Sequence, residues 1–500
     1  MDLFSNLAIG LSTALSLTNI AYCFMGVFLG TAIGVLPGLG VPATVAMLLP
    51  ATFALPPISA LIMLAGIFYG AQYGGSTTSI LVNLPGETSS VITCIDGYQM
   101  ARKGKAGRAL ATSAIASFFA GTVCTLLILM FAPPLGAMAL KFGPAEYFSL
   151  MVLGLVASIV LASGSVLHAM AMVVVGLLLG LVGTDVNSGA QRYSMGIAEL
   201  TDGINFVVIA MGMFGLGEIA INLEHAGTRE PMVKKVTGLW PTREDWRRIR
   251  GPILRGTLLG ALLGLLPGGG AALASFGAYA LEKKVSPNRA EFGHGAIEGV
   301  AAPEAANNAG AQMSFVPMLT LGLPTNVVMA LMIGAMVMQG IQPGPGVMTQ
   351  QPELFWGIVV SMWVGNVMLL VLNLPLIGLW VKMLSVPYRY LYPMILVFCA
   401  IGVFSLSNTT FDVHLMVLFG VVGYVMKKIG CEPAPMLLGF ILGPMMEEFL
   451  RRALLLSMGD PTTLITSPLS AAMLILAAVL MVLVLLPGLG RTRQEAFKED

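Results

Sequence analysis

The sequence predicts an all-α polytopic membrane protein of about ten to twelve transmembrane segments, at roughly 20 apolar residues per span. These form two inverted-topology repeats, with broken or re-entrant helices at the bilayer midplane. Three observations lead there: the composition, a set of phrases that recurs half a chain later, and basic loops that change places between the halves.

Of the 500 residues, 56% are hydrophobic and 10% charged, against about 25% charged in a soluble domain. Runs such as 109–132, 147–162, 167–182, 204–223, 354–382 and 471–486 are long and nearly uncharged. The longest polar stretch, Glu224–Arg250, is too short for a soluble module. No Gly-x4-Gly-Lys-Ser/Thr phosphate loop occurs, so nucleotide hydrolysis is not the expected energy source. The net charge of +1 selects no partner, and no nucleic acid is expected. Cys23, Cys94, Cys124, Cys399 and Cys431 are scattered without metal-ligand spacing and read as small apolar packing residues. No metal or cofactor is expected. The start, Met1-Asp2-Leu3, lacks the basic region of a cleavable signal peptide.

The phrases come next. Gly34-Val-Leu-Pro37-Gly38-Leu-Gly40 is echoed by Gly264-Leu-Leu-Pro267-Gly268-Gly-Gly270, an offset of 230 residues. Gly70-Ala-Gln72 is echoed by Gly310-Ala-Gln312 at 240, and Leu84-Pro85-Gly86-Glu87 by Leu323-Pro324-Thr325-Asn326 at 239. Two halves broken at matching places are the signature of a secondary transporter. Pro and Gly free backbone groups that lipid cannot satisfy, so such breaks face protein or a water-filled cavity. The pentapeptide Leu486-Pro-Gly-Leu-Gly490 repeats the first phrase at the end of the last apolar run. There it is expected only to terminate a helix, so the paired offsets carry the argument.

Charge sets the topology. The first basic residue is Arg102, followed by Lys103, Lys105 and Arg108. Basic short loops stay cytoplasmic, which puts the N-terminus outside. Lys283, Lys284 and Arg289 fall where the first half has the uncharged 51–57, and the non-basic 340–353 matches the first half's basic loop. This exchange predicts the inversion, and the C-terminus is expected in the cytoplasm. Arg451 and Arg452 fit poorly: the count puts them outside, so either 436–450 is re-entrant or the count is off by one there. The organisation expected is a first membrane repeat at 1–223, a basic cytoplasmic linker at 224–250, a second repeat at 251–450, and a terminal helix with a cytoplasmic tail at 451–500.

Charges at membrane depth are costly, and therefore functional candidates. Glu87 and Glu304 lie in the breaks. Asp96, Glu218, His168 and His414 read as interfacial, and Glu447 and Glu448 as helical-spacing partners of Arg451 and Arg452. Between the first half's breaks, Tyr73-Gly-Gly-Ser-Thr-Thr-Ser-Ile-Leu-Val-Asn83 holds four hydroxyls and an amide. The second half holds Pro303-Glu-Ala-Ala-Asn-Asn308 and Leu319-Thr320. Neither region contains Lys or Arg. An anionic substrate would therefore rest on helix N-termini, backbone N–H groups and Ser/Thr/Asn side chains.

The stretches Tyr73–Glu87, Asp96-Gly97-Tyr98, Lys103–Leu110, Glu298–Gly310 and Leu319–Pro324 resemble the large membrane subunit of the tripartite tricarboxylate transporters, along nearly the whole chain. Position 325 is Thr where the family commonly has Gly. The resemblance implies a bacterial inner-membrane carrier working with a small four-helix membrane subunit and a periplasmic carboxylate-binding protein. It also implies a sodium or proton gradient as the energy source and, by analogy with related carriers, an elevator motion.

The expected substrate and ion site is Ser76, Thr77, Thr78, Asn83 and Gly86 from the first half, with Asn307, Asn308, Thr320, Thr325 and Asn326 from the second. Pro37, Gly38, Pro85, Pro267, Gly268 and Pro324 shape the hairpins. Glu87 or Glu304 would take the coupling proton or ion. The substrate expected is citrate or another di- or tricarboxylate. The rival readings are an uncoupled anion channel or membrane scaffold subunit, and an intramembrane enzyme; no metal cluster, paired membrane aspartates or Gly-x-Ser-x-Gly elbow supports the enzyme.

Overall fold

The computed structural model describes residues 3–36, 39–162, 165–185, 188–224, 236, 238–266, 270–384 and 388–485. Its long elements are α1 (Leu3–Ala14), α2 (Leu17–Gly34), α3 (Val41–Leu48), α4 (Pro57–Val82), α5 (Ala106–Ala139), α6 (Pro144–Leu161), α7 (Val166–Gly180), α8 (Phe206–Glu224) and α9 (Arg243–Gly264). There follow α10 (Gly270–Val285), α11 (Glu298–Met313), α12 (Phe315–Leu321), α13 (Val327–Met338), α14 (Pro352–Asn373), α15 (Tyr388–Ser407), α16 (Thr410–Lys428), α17 (Pro433–Leu456) and α18 (Pro468–Leu485). Among the described residues, the only sheet is a two-stranded ladder pairing Gly183 with Arg192 and Thr184 with Gln191. Among the described residues, seven helices are long and apolar enough to cross a membrane: α2, α4, α5, α8, α14, α16 and α18. The fold is thus the all-helical membrane architecture that the composition predicts.

Two groups of helices pack side by side. An inner group is built from α2, α4, α5, α9, α10, α11 and α14; an outer group contains α6, α7, α17 and α18, with α8 against α16. The short helices α3 and α13 touch each other and also reach the outer group. Helix α4 is the centre of the molecule: 94% of its most apolar window is buried, against 11% for α18. Such burial requires small residues on several faces, and the glycines and hydroxyls of 70–79 supply them.

The close packing recurs in both halves. A Cβ added at Gly26, Gly30 or Gly34 of α2 would lie 2.2, 2.3 or 2.4 Å from the carbonyl oxygen of Met63, Ile67 or Ala71 in α4. At Gly256, Gly260 and Gly264 of α9 the same atom would lie 2.3, 2.4 and 2.5 Å from the carbonyl of Ala302, Ala306 or Gly310 in α11. The glycines keep the offset of 230, but their partners are 239 apart. The packing therefore aligns Gly310 with Ala71, not with Gly70 as the Gly-Ala-Gln match suggests. One register runs unbroken from here through the Leu-Pro phrase.

The loops gather into two sets. Arg108 bridges to Asp245 at 3.6 Å, Lys103 Nζ donates to the His294 carbonyl at 2.5 Å, and Arg248 holds Glu291 and Glu298 at 2.6 and 2.7 Å. The basic segments 102–108 and 243–250 and the loop 289–298, which follows Lys283 and Lys284, are thereby neighbours. Burial pushes the Glu298 carboxyl up, but the bonds from Arg248 and Asn288 outweigh this and hold it below the usual carboxylate range. In the other set, Gln339 Nε2 donates to the Phe53 carbonyl at 3.5 Å, joining the two non-basic loops.

Helix α17 resolves the difficulty at Arg451. It is one continuous 24-residue helix, not a re-entrant one. It runs alongside α7 in the same direction: Gly176 abuts Met436, and Gly180 abuts Phe440 and Pro444. Arg451 therefore arrives at the loop after α7, where it pairs with Asp185 at 3.2 Å and Glu447 at 2.6 Å. Arg192 joins the cluster at 2.6 Å from Asp185 and 2.9 Å from Glu447. Glu448 bridges to Arg452, and Glu218 to Lys427.

Candidate functional site

The site starts from two backbone breaks with one conformation. Helix α4 ends at Asn83 in the left-handed region, φ 60°, and α12 ends at Gly322, φ 70°, 239 residues on. Gly adopts this region freely, and Asn is among the few other residues that tolerate it. Pro85 and Pro324 follow, each removing a backbone donor. Glu87 then has φ −155°, ψ 168°, and Asn326 φ −154°, ψ 174°; both stand at N-cap positions. Asn326 caps α13 by accepting from Met329 N at 3.0 Å. Glu87 N donates to Ser90 Oγ at 3.2 Å. Gly86 lies against α4, where a Cβ would come within 2.2 Å of the Gly75 Cα. At the equivalent position Thr325 is buried, with its hydroxyl unpartnered.

Four segments meet beside the first break. Glu304, 1% exposed on α11, accepts from Ser76 Oγ of α4 at 2.8 Å, from Ser113 Oγ of α5 at 2.9 Å, and from Thr93 Oγ1. No Lys, Arg or His is bonded to it among the described residues. One turn on, Asn307 Nδ2 donates to Glu87 Oε1 at 3.1 Å, while its buried Oδ1 has no partner. Asn308 Nδ2 donates to Ser117 Oγ at 2.6 Å, and Gln312 Nε2 to Thr125 Oγ1 at 2.6 Å. Glu304, Asn308 and Gln312 fall four apart, on one face of α11. They meet a hydroxyl stripe on one face of α5, Ser113, Ser117 and Thr125. Tyr73 makes the reciprocal reach, from α4 to Asn366 Oδ1 of α14 at 3.1 Å.

The expected residues therefore divide. Ser76, Glu87, Glu304, Asn307 and Asn308 come together. Thr77 and Thr78 bond to the backbone: Thr77 to the Tyr73 carbonyl at 3.2 Å, Thr78 to those of Val35 and Gly74, both at 3.0 Å. Asn83 and Pro85 are exposed, and Pro324 is buried. Thr320 bonds to the Val316 carbonyl at 2.6 Å. No hydrogen bond among the described residues links Thr320, Thr325 or Asn326 to the first break. Pro37, Gly38, Pro267 and Gly268 lie outside the described residues, as does Leu486–Gly490.

Sequence reading passed over Thr93, Ser113 and Ser117. Ser113, Ser117 and Thr125 fall four and then eight residues apart inside an apolar run, on one helix face, a signal that would have found two of them. Asp96 differs from expectation. It is fully buried, not interfacial, and accepts from Gly293 N, Gly295 N and Ala296 N at 2.9, 2.7 and 2.9 Å and from Tyr279 OH at 2.9 Å. Gly293 and Gly295 have φ of 85° and 100°, which lets the loop curl around the carboxylate.

A buried carboxylate ringed by hydroxyls and amides, at a crossing of broken helices, suits reversible binding of small ions and polar solutes. The family model described as "Tripartite tricarboxylate transporter TctA family" matches residues 20–438. The chain is 59% identical over 500 residues, all of both chains, to the "Uncharacterized 52.8 kDa protein in TAR-I ttuC' 3'region" of Agrobacterium vitis. It is 58% identical over 241 residues, 48% of this chain and all of the relative, to the "Uncharacterized protein in TAR-II ttuC' 3'region" of the same organism. No solved structure matches the chain.

Proposed function

Since the chain belongs to the tripartite tricarboxylate transporter TctA family, we propose that it is the substrate-translocating subunit of a binding-protein-dependent secondary transporter. It imports small carboxylates, citrate or another di- or tricarboxylate, across a bacterial inner membrane, driven by a sodium or proton gradient. A small four-helix membrane subunit supports it, and a periplasmic binding protein delivers the substrate. The observation that carries this reading is Glu304, buried and bonded only to hydroxyls where both halves meet. A carboxyl group buried without a cationic partner is costly in either form, so it is kept for what it binds. The site comprises both breaks: Ser76, Asn83, Gly86 and Glu87, with Glu304, Asn307, Asn308, Thr325 and Asn326.

The paired glycine stacks and the matching conformations at Asn83 and Gly322 support two repeats. The separate gathering of the basic loops and of the non-basic loops supports their inversion, with the N-terminus periplasmic and the C-terminus cytoplasmic. Two helix groups joined through α3 and α13 suit an elevator, in which one group slides along the other.

The test is uptake of labelled citrate and a panel of other carboxylates into proteoliposomes holding this chain and its small partner. Sodium and proton gradients are imposed separately, with and without the binding protein. Saturable uptake that needs both gradient and binding protein is expected. Flux that neither saturates nor needs the binding protein would instead make the protein a channel.

A further inference from the structure

We propose that the first break is a site for a monovalent metal cation, held by Glu304, Asn307, Glu87 and Ser76, while the carboxylate substrate belongs at the second break. This deepens the transporter reading and rests on it for the second half. The charge pattern comes first. Asn307 links the two acids: its amide donates to Glu87 at 3.1 Å and it stands one turn on from Glu304 in α11, and among the described residues neither acid forms a salt bridge. A substrate carboxylate brought here would meet two carboxyl groups and no cationic partner in a medium of low dielectric.

The second observation is the orientation of Asn307. Its Nδ2 already donates to Glu87 at 3.1 Å, so the amide head faces the acidic pair. Its Oδ1, buried with the residue 1% exposed, has no donor. An orphan acceptor beside two carboxyl groups is the arrangement a cation completes. Hard cations take oxygen ligands, as carboxylates, amide carbonyls and neutral hydroxyls. Ser76 can serve as one: its Oγ lies 3.3 Å from the Gln72 carbonyl as well as 2.8 Å from Glu304. Its proton can swing to Gln72 and free the oxygen for a metal. No group of three or more acidic, His or Cys side chains gathers here among the described residues, which favours charge one over charge two.

The second break is built from the same backbone without the acids. Asn326 stands where the first break has Glu87, at the head of a 12-residue helix with free N–H groups. Thr325 adds a buried, unpartnered hydroxyl next to it.

The experiment is thermal unfolding of the purified full-length chain, titrated with LiCl, NaCl or KCl and balanced with choline chloride at constant pH. A bound ion stabilises the folded state in proportion to the logarithm of its concentration over Kd. One alkali ion is expected to raise the wild-type Tm saturably. In Glu304→Gln the half-effective concentration is expected to rise at least about tenfold, some 1.4 kcal/mol of binding. Asn307→Ala, which leaves both acids in place, should shift the same way. A wild-type protein indifferent to all three ions overturns the proposal. So does an unchanged ion response in both variants. The readout needs no transport, so an intact ion response together with no carboxylate uptake would refute the transporter reading alone.

Discussion

Alanine in place of Gly30 or Gly260 puts the repeated helix packing to a direct test. The added Cβ would sit 2.3 Å from the Ile67 carbonyl in the first case and 2.4 Å from the Ala306 carbonyl in the second. Ordinary contact begins at 3.4 Å. The obstacle is backbone, which cannot rotate away, so each helix pair must part by about 1 Å. Overpacking of this kind costs about 1–3 kcal/mol, and alanine's helix propensity returns at most about 1 kcal/mol. Gly378→Ala is the control, because nothing lies within 4 Å of its Cβ and only the propensity gain remains. The assay is the Tm of the detergent-solubilised protein, followed by size-exclusion fluorescence. Gly30→Ala and Gly260→Ala should lower it by similar amounts, and Gly378→Ala should not. The two losses should add in the double variant, since the pairs share no partner. Uptake should fall further than stability, because α4 and α11 carry Ser76 and Glu304, which must stay 2.8 Å apart. If both glycine variants match Gly378→Ala in Tm, the close approach is not real and the shared packing of the halves falls with it.

Other expectations follow from single contacts. Asp96→Ala removes the acceptor of three backbone N–H groups and a tyrosine hydroxyl. Unsatisfied buried donors cost about 1–3 kcal/mol each, so folded yield should collapse, and near-normal yield would count against the clamp. Arg248→Met leaves Glu298 half-stranded, at a cost of about 3–5 kcal/mol for a broken buried pair. Because Arg248 holds the Glu298 carboxyl down, the pair stabilises the wild type above the ordinary carboxylate range and stops doing so as pH falls through the lowered value. A Tm–pH profile should therefore drop on the acid side in the wild type and be flatter in Arg248→Met. Gly104→Cys and Pro345→Cys, in a cysteine-free background, should be modified by impermeant reagent from opposite sides of the membrane. Modification from one side would remove the inversion. Asn83→Gly, which suits φ 60° without strain, should fold normally yet transport poorly; full uptake would reduce Asn83 to a backbone role.

The sequence by itself determined the class and the location of the breaks. An apolar chain has to hydrogen-bond its own backbone in lipid, so helices were forced. Pro85 and Pro324, at one offset, mark where those helices stop. The carboxylates at 87 and 304 stood out because charge at such depth is expensive. What sequence could not assign was the partner of each. Glu304 finds hydroxyls 228, 211 and 191 residues away, and no local period announces Thr93. Asp96 looked interfacial because a basic cluster follows it, yet packing buries it under the 293–296 loop. The Gly-Ala-Gln match misled by one residue, since register is set by which carbonyl each glycine meets and not by letter identity. The path of α17 was decided the same way. Its glycines fit α7, and that contact carries Arg451 to Asp185. Periodicity and composition act along the chain and can be read from it. Burial, charge pairing and register arise between segments hundreds of residues apart, and only the folded arrangement sets them.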